Sequence, residues 1–143
     1  LVDSFEIKMK KKGIDITYEF GKDKSIFVNA DNFRITQVMS NLIVNSLNYG
    51  VENGTTEIIT KNLSKEKVLV RVIDNGQGIS DEDLPRIFER FYRVDKTRNR
   101  QEGGSGLGLA IVKHIVEAHN EIVYVESSLN VGSEFSFTLT KSN

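Results

Sequence analysis

The chain has 143 residues, 38% hydrophobic and 27% charged, a profile that suits one folded domain and excludes a disordered chain. Its 19 basic and 20 acidic residues leave a net charge of −1, with no overall pull toward nucleic acid or anionic lipid. Cysteine is absent, which rules out disulfides, thiolate catalysis and cysteine-ligated metal, and no apolar run approaches the ~20 residues of a membrane helix.

Residues 1–12 read as the end of a helix, closing in the basic run Lys8, Lys10, Lys11 and Lys12 before Gly13. Ile14, Ile16, Tyr18 and Phe20 alternate with polar residues as in a half-buried strand, and Gly21-Lys22-Asp23-Lys24 turns the chain into a short strand over Ser25–Val28. Asp31 is placed to cap a long helix that reaches Tyr49. After a loop over Gly50–Gly54, strands are expected at Thr55–Lys61 and Lys67–Asp74. Ser80 and Asp83 resemble a capping box for a short helix covering Leu84, Ile87 and Phe88. Val94–Gly104 is polar and glycine-tipped and reads as a mobile loop. Leu107, Ile111, Ile115 and Ala118 restore a helical stripe; His114 and His119 on this segment read as ordinary helix residues. Ile122–Ser127 and Gly132–Thr140 form a hairpin-like pair in which Phe135, Phe137 and Leu139 alternate. Interleaved in this way, about three helices and about six strands imply a two-layer α/β sandwich with the helices on one face of a mixed sheet. The opening Leu1-Val2-Asp3 is not that of a signal peptide, and the abrupt ends suggest a segment of something longer.

On a helix turning about 100° per residue, Asn45 lies about +40° and Asn48 about −20° from Asn41, with Arg34 and Gln37 on the same stripe. Val38, Met39, Leu42 and Ile43 fall on the other side. A solvated face is the plain reading, yet such faces favour Lys, Glu, Gln and Arg, and each Asn costs the helix about 0.6 kcal/mol relative to Ala. Neutral amide oxygens suit a different role, since they can ligate a hard cation such as Mg2+ without adding negative charge beside a polyphosphate.

Asp74-Asn75-Gly76-Gln77-Gly78-Ile79 follows directly on a strand. A tight turn needs such glycines, and so does a site in which Asp74 accepts a hydrogen bond from an exocyclic amine while a flat ring approaches Gly78. Gly103-Gly104-Ser105-Gly106-Leu107-Gly108-Leu109 leads into a helix whose N-terminal N–H groups can receive an anion. No Gly-Lys-Ser/Thr follows, so it is not a P-loop, and the charged loop before it does not fit a dinucleotide fingerprint. Between the two segments, Arg86, Arg90, Arg93, Lys96, Arg98 and Arg100 stand against Glu89 and Asp95, a local balance of +4. A solvated basic face is one reading; the other leaves the arginines free to reach a polyanion, with Phe88 and Phe91 pinning the segment to the core.

In this order the segments resemble the ATP-binding domain of bacterial sensor histidine kinases, within the superfamily shared with gyrase, a heat-shock chaperone and the mismatch-repair ATPases. The likeness runs from about Ile14 to Leu139. Asn41–Tyr49 resembles the asparagine box, Asp74–Ile79 the first glycine box, Phe88–Arg93 the phenylalanine box and Gly104–Leu109 the second glycine box. The resemblance implies that Asp74 reads the adenine amine, with Gly76, Gly78 and Ile79 in the same turn and Tyr49 near the ring. It places Mg2+ on Asn45 with help from Asn41, and it adds Asn48 to the nucleotide contacts. Tyr92 approaches the nucleotide, Arg93 stands near the γ-phosphate, and Asn41, Asn45 and Arg93 form the catalytic set. Gly104, Ser105, Gly106, Leu107 and Gly108 offer N–H groups to the phosphates, under an ATP lid formed by Val94–Gly104.

By the same resemblance, residues 13–143 are a catalytic domain that binds ATP and Mg2+, and residues 1–12 are the end of a dimerisation helix or linker. The γ-phosphoryl group passes to a histidine on a separate dimerisation domain of the same parent protein, and a response regulator is the further partner. Neither nucleic acid nor a membrane surface is expected for this segment, which would be a cytoplasmic monomer of a membrane-anchored sensor. Hydrolysing relatives carry Glu where Asn41 stands; an amide cannot take a proton, which favours transfer over hydrolysis. The alternative is a nucleotide-binding regulatory module without transfer, and two departures bear on it. Asn48 stands where the family usually has Lys, and Asn120-Glu121 where it usually has Gly-Gly at a left-handed helix end, a conformation Glu adopts less readily than Asn.

Overall fold

The computed structural model describes residues 5–19, 26–94 and 106–142. The expected turn over Gly21–Lys24, all of the expected loop but Val94, and the site candidates Gly104 and Ser105 lie outside the described residues. Helix α1 (Glu6–Lys12) ends at Gly13 and leads into β1 (Asp15–Glu19). Strand β2 (Val28–Asn29) and helix α2 (Asn32–Tyr49) follow, then β3 (Thr55–Asn62) and β4 (Lys67–Asp74). A 3₁₀ turn at Leu84–Arg86, helix α3 (Gly108–Ala118), β5 (Val123–Ser128) and β6 (Gly132–Lys141) complete the described order. The sheet runs β1-β3-β4-β6-β2, with β5 also paired to β6; β1 lies parallel to β3 and every other pairing is antiparallel. This is the expected mixed, mostly antiparallel sheet with helices packed on it.

Three sequence expectations shift. The second strand is shorter and later, at Val28–Asn29. Past Ser80, the cap forms as read, the Asp83 N–H donating to Ser80 Oγ at 3.2 Å and the Ser80 hydroxyl to Asp83 Oδ2 at 2.8 Å. Yet Arg86, Glu89 and Tyr92 each bond a carbonyl three residues back, so the segment winds as 3₁₀ turns instead of an α-helix. The left-handed helix end falls on Asn120 at φ +58, which spares Glu121 that strain. The Glu121 carboxylate is buried, bonded by Lys67 Nζ (2.7 Å), Thr138 Oγ1 (2.8 Å) and Thr140 Oγ1 (2.8 Å).

Alternation along β4 buries Val68, Val70 and Val72 against Phe135, Phe137 and Leu139 of β6 and against Val38, Leu42, Val112, Ile115 and Val116 of α2 and α3. Each such side chain contributes about 1.5–3 kcal/mol of apolar burial. A second cluster, Ile14, Ile43, Leu47 and Ile58, receives Phe5 and Met9 from the α1 end. Lys12 Nζ donates to the Asn48 carbonyl at 2.8 Å, joining α1 to the last turn of α2.

Asp31 caps α2, accepting the Arg34 N–H at 3.1 Å. Helices α2 and α3 run antiparallel, and α3 is pinned at both of its ends, to the start and to the middle of α2. Asn41 Nδ2 donates to the Gly108 carbonyl (3.3 Å), and the Asp31 N–H donates to His119 Nε2 (3.1 Å). His119 Nδ1 lies 2.8 Å from the Ile115 carbonyl, so the proton sits on Nδ1. His119 is therefore a joint between helices, whereas His114 is an exposed helix residue as expected. No helix among the described residues is long and apolar enough to cross a membrane.

Candidate functional site

Chain segments far apart in sequence converge as three walls on one cavity of about 230 Å³. The first wall is the polar stripe of α2. Asn41, Asn45 and Asn48 are half-buried and line the cavity, together with Val44 and Tyr49, so the stripe is not a solvated face. Asn41 spends its amide N–H on Gly108, which leaves Oδ1 for the cavity, and Asn45 makes no side-chain hydrogen bond among the described residues. Arg34, on the same stripe nearer the N-terminus, is exposed and does not line the cavity.

The second wall is the end of β4 and the turn after it. Asp74 is 8% exposed and accepts the Gly76 N–H at 2.9 Å. Burial raises its pKa above the ordinary value, against the pull of backbone N–H groups of Gly76 and Ser133. Gly78, at φ +72, lines the cavity, and a Cβ there would stand 2.1 Å from the Ser128 carbonyl. Close approach to β5 therefore demands glycine whatever lies on its other side. Gly76 does not line the cavity: it is buried against the Tyr49 carbonyl and acts on the site through Asp74.

The third wall joins the phenylalanine-rich segment to the start of α3. The Phe91 N–H donates to the Gly106 carbonyl at 2.9 Å, and Gly106 takes φ +78 with a hypothetical Cβ only 2.8 Å from Phe91 Cα. Tyr92, Arg93, Val94, Gly106 and Gly108 all face the cavity. Leu107 does not line it, although it is the residue preceding the first turn of α3. Tyr92 is fixed by its hydroxyl on Asp83 Oδ1 and by the Arg86 guanidinium 4.5 Å from its ring centre.

Two expectations for this segment need correction. Phe88 does pin it, edge-on to Phe135 at 6.3 Å, but Phe91 is 68% exposed. The reason lies in the backbone: Phe91 sits at φ +65, with its N–H handed to Gly106, and the ring is left outward. Arg86 is likewise engaged, ion-paired with Glu89 at 3.2 Å as well as stacked on Tyr92, so it is not free for a polyanion.

The cavity also takes in Val44, Ile87, Leu109 and Ser133, which sequence reading does not assign to a site. Val44 sits between two of the asparagines and shares their side of the helix, so its place is readable. That of Ser133 is not, because it reaches Asp74 only through the β4–β6 register.

The arrangement is bipolar. Among its lining residues a buried carboxylate and the apolar or aromatic Ile79, Ile87 and Tyr49 suit a flat ring bearing an amine, while neutral amides, a guanidinium and a helix N-terminus suit a polyanion. Among the described residues there is no cluster of His, Asp or Glu able to hold a metal ion by itself. Two amide oxygens alone bind a hard cation weakly, so a cation here needs further oxygens from whatever it accompanies.

Residues 30–143 match the family described as histidine kinase-, DNA gyrase B- and HSP90-like ATPase. The chain is 39% identical over 140 residues to the sensor histidine kinase WalK of Bacillus subtilis (strain 168), covering 97% of this chain and 23% of that protein. It is 42% identical over 117 residues to the sensor protein kinase WalK of Staphylococcus aureus, covering 81% of this chain and 28% of the relative. The chain thus spans about a quarter of the length of these curated relatives. Among solved structures, the nucleotide-free catalytic domain of the histidine kinase ThkA aligns with a TM-score of 0.81 and 34% identity over 97% of this chain and 86% of that one. Full-length ShkA in complex with AMPPNP aligns with a TM-score of 0.82 and 27% identity over 98% of this chain and 28% of that one.

Proposed function

The chain belongs to the histidine kinase-, DNA gyrase B- and HSP90-like ATPase family, and from that premise we propose that it is the ATP-binding catalytic domain of a sensor histidine kinase. The observation that carries this reading is the composition of one cavity wall. The residue facing the start of α3 is Asn41, an amide with no capacity to take a proton from water, beside a second unspent amide, Asn45. A site built to hydrolyse ATP needs a base there; a site built to hold a triphosphate for another acceptor does not.

In this reading Asp74 accepts the adenine amine, and Ile79, Ile87 and Tyr49 enclose the ring. Asn45 and Asn41 are the residues that would hold Mg2+, which would supply positive charge to offset that of the phosphates. Their neutral amides and the polyphosphate together supply the hard oxygen set that such an ion requires. Arg93 reaches the γ-phosphate and stabilises the charge that spreads over its oxygens, and the N–H groups at Gly106 and Gly108 receive the phosphate chain. An acceptor imidazole nitrogen on a separate domain attacks the γ-phosphorus, the bond to the β-phosphate oxygen breaks, and ADP leaves. Residues 1–12 then belong to the connection toward that domain, residues 13–143 to the catalytic unit, and a response regulator is the next acceptor. One similar structure is the histidine kinase ThkA in complex with the response regulator protein TrrA, aligned with a TM-score of 0.77 and 30% identity over 98% of this chain and 38% of that one.

The regulatory-module reading draws less support than the sequence alone lends it, because Glu121 has three partners and no left-handed strain. Titration with a fluorescent ATP analogue, with and without Mg2+, tests nucleotide binding. Phosphorylation of an added acceptor domain from the parent protein tests transfer. Saturable binding without transfer would restore the regulatory reading, and no binding would remove both.

A further inference from the structure

Ser127, on β5, lies outside every sequence motif noted above, yet its hydroxyl is a junction for three segments. The Ile79 N–H donates to Ser127 Oγ at 2.7 Å, Ser127 Oγ donates to the Gly132 carbonyl at 2.9 Å, and the Ser133 hydroxyl lies 2.8 Å away. An amide N–H can only donate and a carbonyl can only accept. The single proton of Ser127 is therefore spent on Gly132, and in the third contact the donor must be Ser133. Ser127 ends fully used, with one bond given and two received.

The consequence falls on Ser133, which is buried, lines the cavity and stands opposite Asp74 in the β4–β6 register. With its proton turned toward Ser127, the Ser133 hydroxyl offers the cavity lone pairs only. The ionised Asp74 carboxylate beside it also offers lone pairs only. Everything polar that these two side chains show at the base end is an acceptor.

We infer that Ser127 is a positioning residue for base selectivity: by taking the Ser133 proton, it keeps the base end an all-acceptor surface that admits a purine with an exocyclic amine and disfavours one with an oxo group in its place. This rests on the nucleotide reading above, and it adds a residue that touches no nucleotide. Released from Ser127, the Ser133 hydroxyl can rotate and donate to a purine oxygen.

Competition between ATP and inosine triphosphate for a fluorescent ATP analogue tests it, because position 6 changes from an amine to an oxo group, the neighbouring N1 changing from an acceptor to an N–H donor in the same exchange. Ser127→Ala is expected to lower the ratio of ATP to inosine triphosphate affinity about fivefold or more, the size of one neutral hydrogen bond gained by the wrong base, while Ser127→Thr keeps the wild-type ratio. A Ser127 that only supports the fold would weaken both nucleotides by one common factor, and an unchanged ratio in folded Ser127→Ala overturns the assignment. Should Ser127→Ala fail to fold, Ser133→Ala decides. It removes the acceptor while leaving Ser127 bonded to Ile79 and Gly132, and an unaltered ratio there overturns the proposal as well. Wild-type protein that binds neither nucleotide overturns the nucleotide reading itself, a result distinct from binding both with an unmoved ratio.

Discussion

Replacing Asp74 with Asn separates recognition from stability, because the two should move in opposite directions. The carboxylate is 8% exposed and is held by backbone N–H groups of Gly76 and Ser133. In Asp74→Asn the amide oxygen keeps those two donors, so the NH2 group turns to the cavity and would meet the amine of the proposed adenine, donor against donor. A charge-assisted hydrogen bond worth about 1.5–3 kcal/mol is lost and a buried donor is left unpaired, which together amount to about 3 kcal/mol or about 100-fold in affinity. Stability behaves otherwise. Burial raises the Asp74 pKa in the fold, so its contribution is fully present below the unfolded carboxylate pKa and is lost as pH rises through the folded one. Asn carries no such charge. The melting temperature of Asp74→Asn should match or exceed that of the parent at neutral pH, with the difference growing as pH rises across the carboxylate range. Fluorescence titration and thermal melts on the same samples read both. Affinity within twofold of the parent would refute the role assigned to Asp74, and a variant that loses binding only because it has unfolded would refute the stability argument.

Asn45→Ala should lose Mg2+-dependent affinity for the ATP analogue about tenfold or more while Mg2+-free affinity changes little; equal losses would remove the metal role. Lys67→Met strands the buried Glu121 carboxylate with two hydroxyls, and because Lys67 is itself 37% exposed the cost in chemical denaturation should be about 1–2 kcal/mol rather than that of a fully buried pair. Burial raises the Glu121 pKa, but hydrogen bonds from Lys67, Thr140 and Thr138 outweigh it and leave a net lowering. Its contribution is therefore present above the ordinary carboxylate pKa and lost as pH falls through the lowered value, a dependence that Glu121→Gln should flatten. Phe88→Ala should cost about 3 kcal/mol, whereas Phe91→Ser, at a ring 68% exposed, should stay within about 0.5 kcal/mol by the same denaturation assay.

What the sequence makes legible is local. Asp31 as a cap, the two-residue rhythm of Phe135, Phe137 and Leu139, and the clustering of amides on one side of α2 each depend on residues within a turn or two of one another, and the structure has them as read. Where a partner sits far along the chain, local rules mislead. Glu121 looks ill-placed when its helix end is judged alone, while Lys67, which neutralises it, is 54 residues away on β4. Phe91 looks like a core residue by spacing from Phe88, but its conformation is decided by Gly106 across the third wall. Ser127 and Ser133 are ordinary strand serines until the register of β5, β6 and β4 sets them beside Asp74.

The two joints between α2 and α3 form a matched gauge. From Asp31 to Asn41 is ten residues and from Gly108 to His119 is eleven, so at about 1.5 Å per residue the spans are about 15 Å and about 16.5 Å. Two rods riveted at nearly equal intervals cannot slide by a turn without shearing both rivets. The gap between the amides of α2 and the first N–H groups of α3 is thus held to tolerance from its far end, by an imidazole that never meets the cavity.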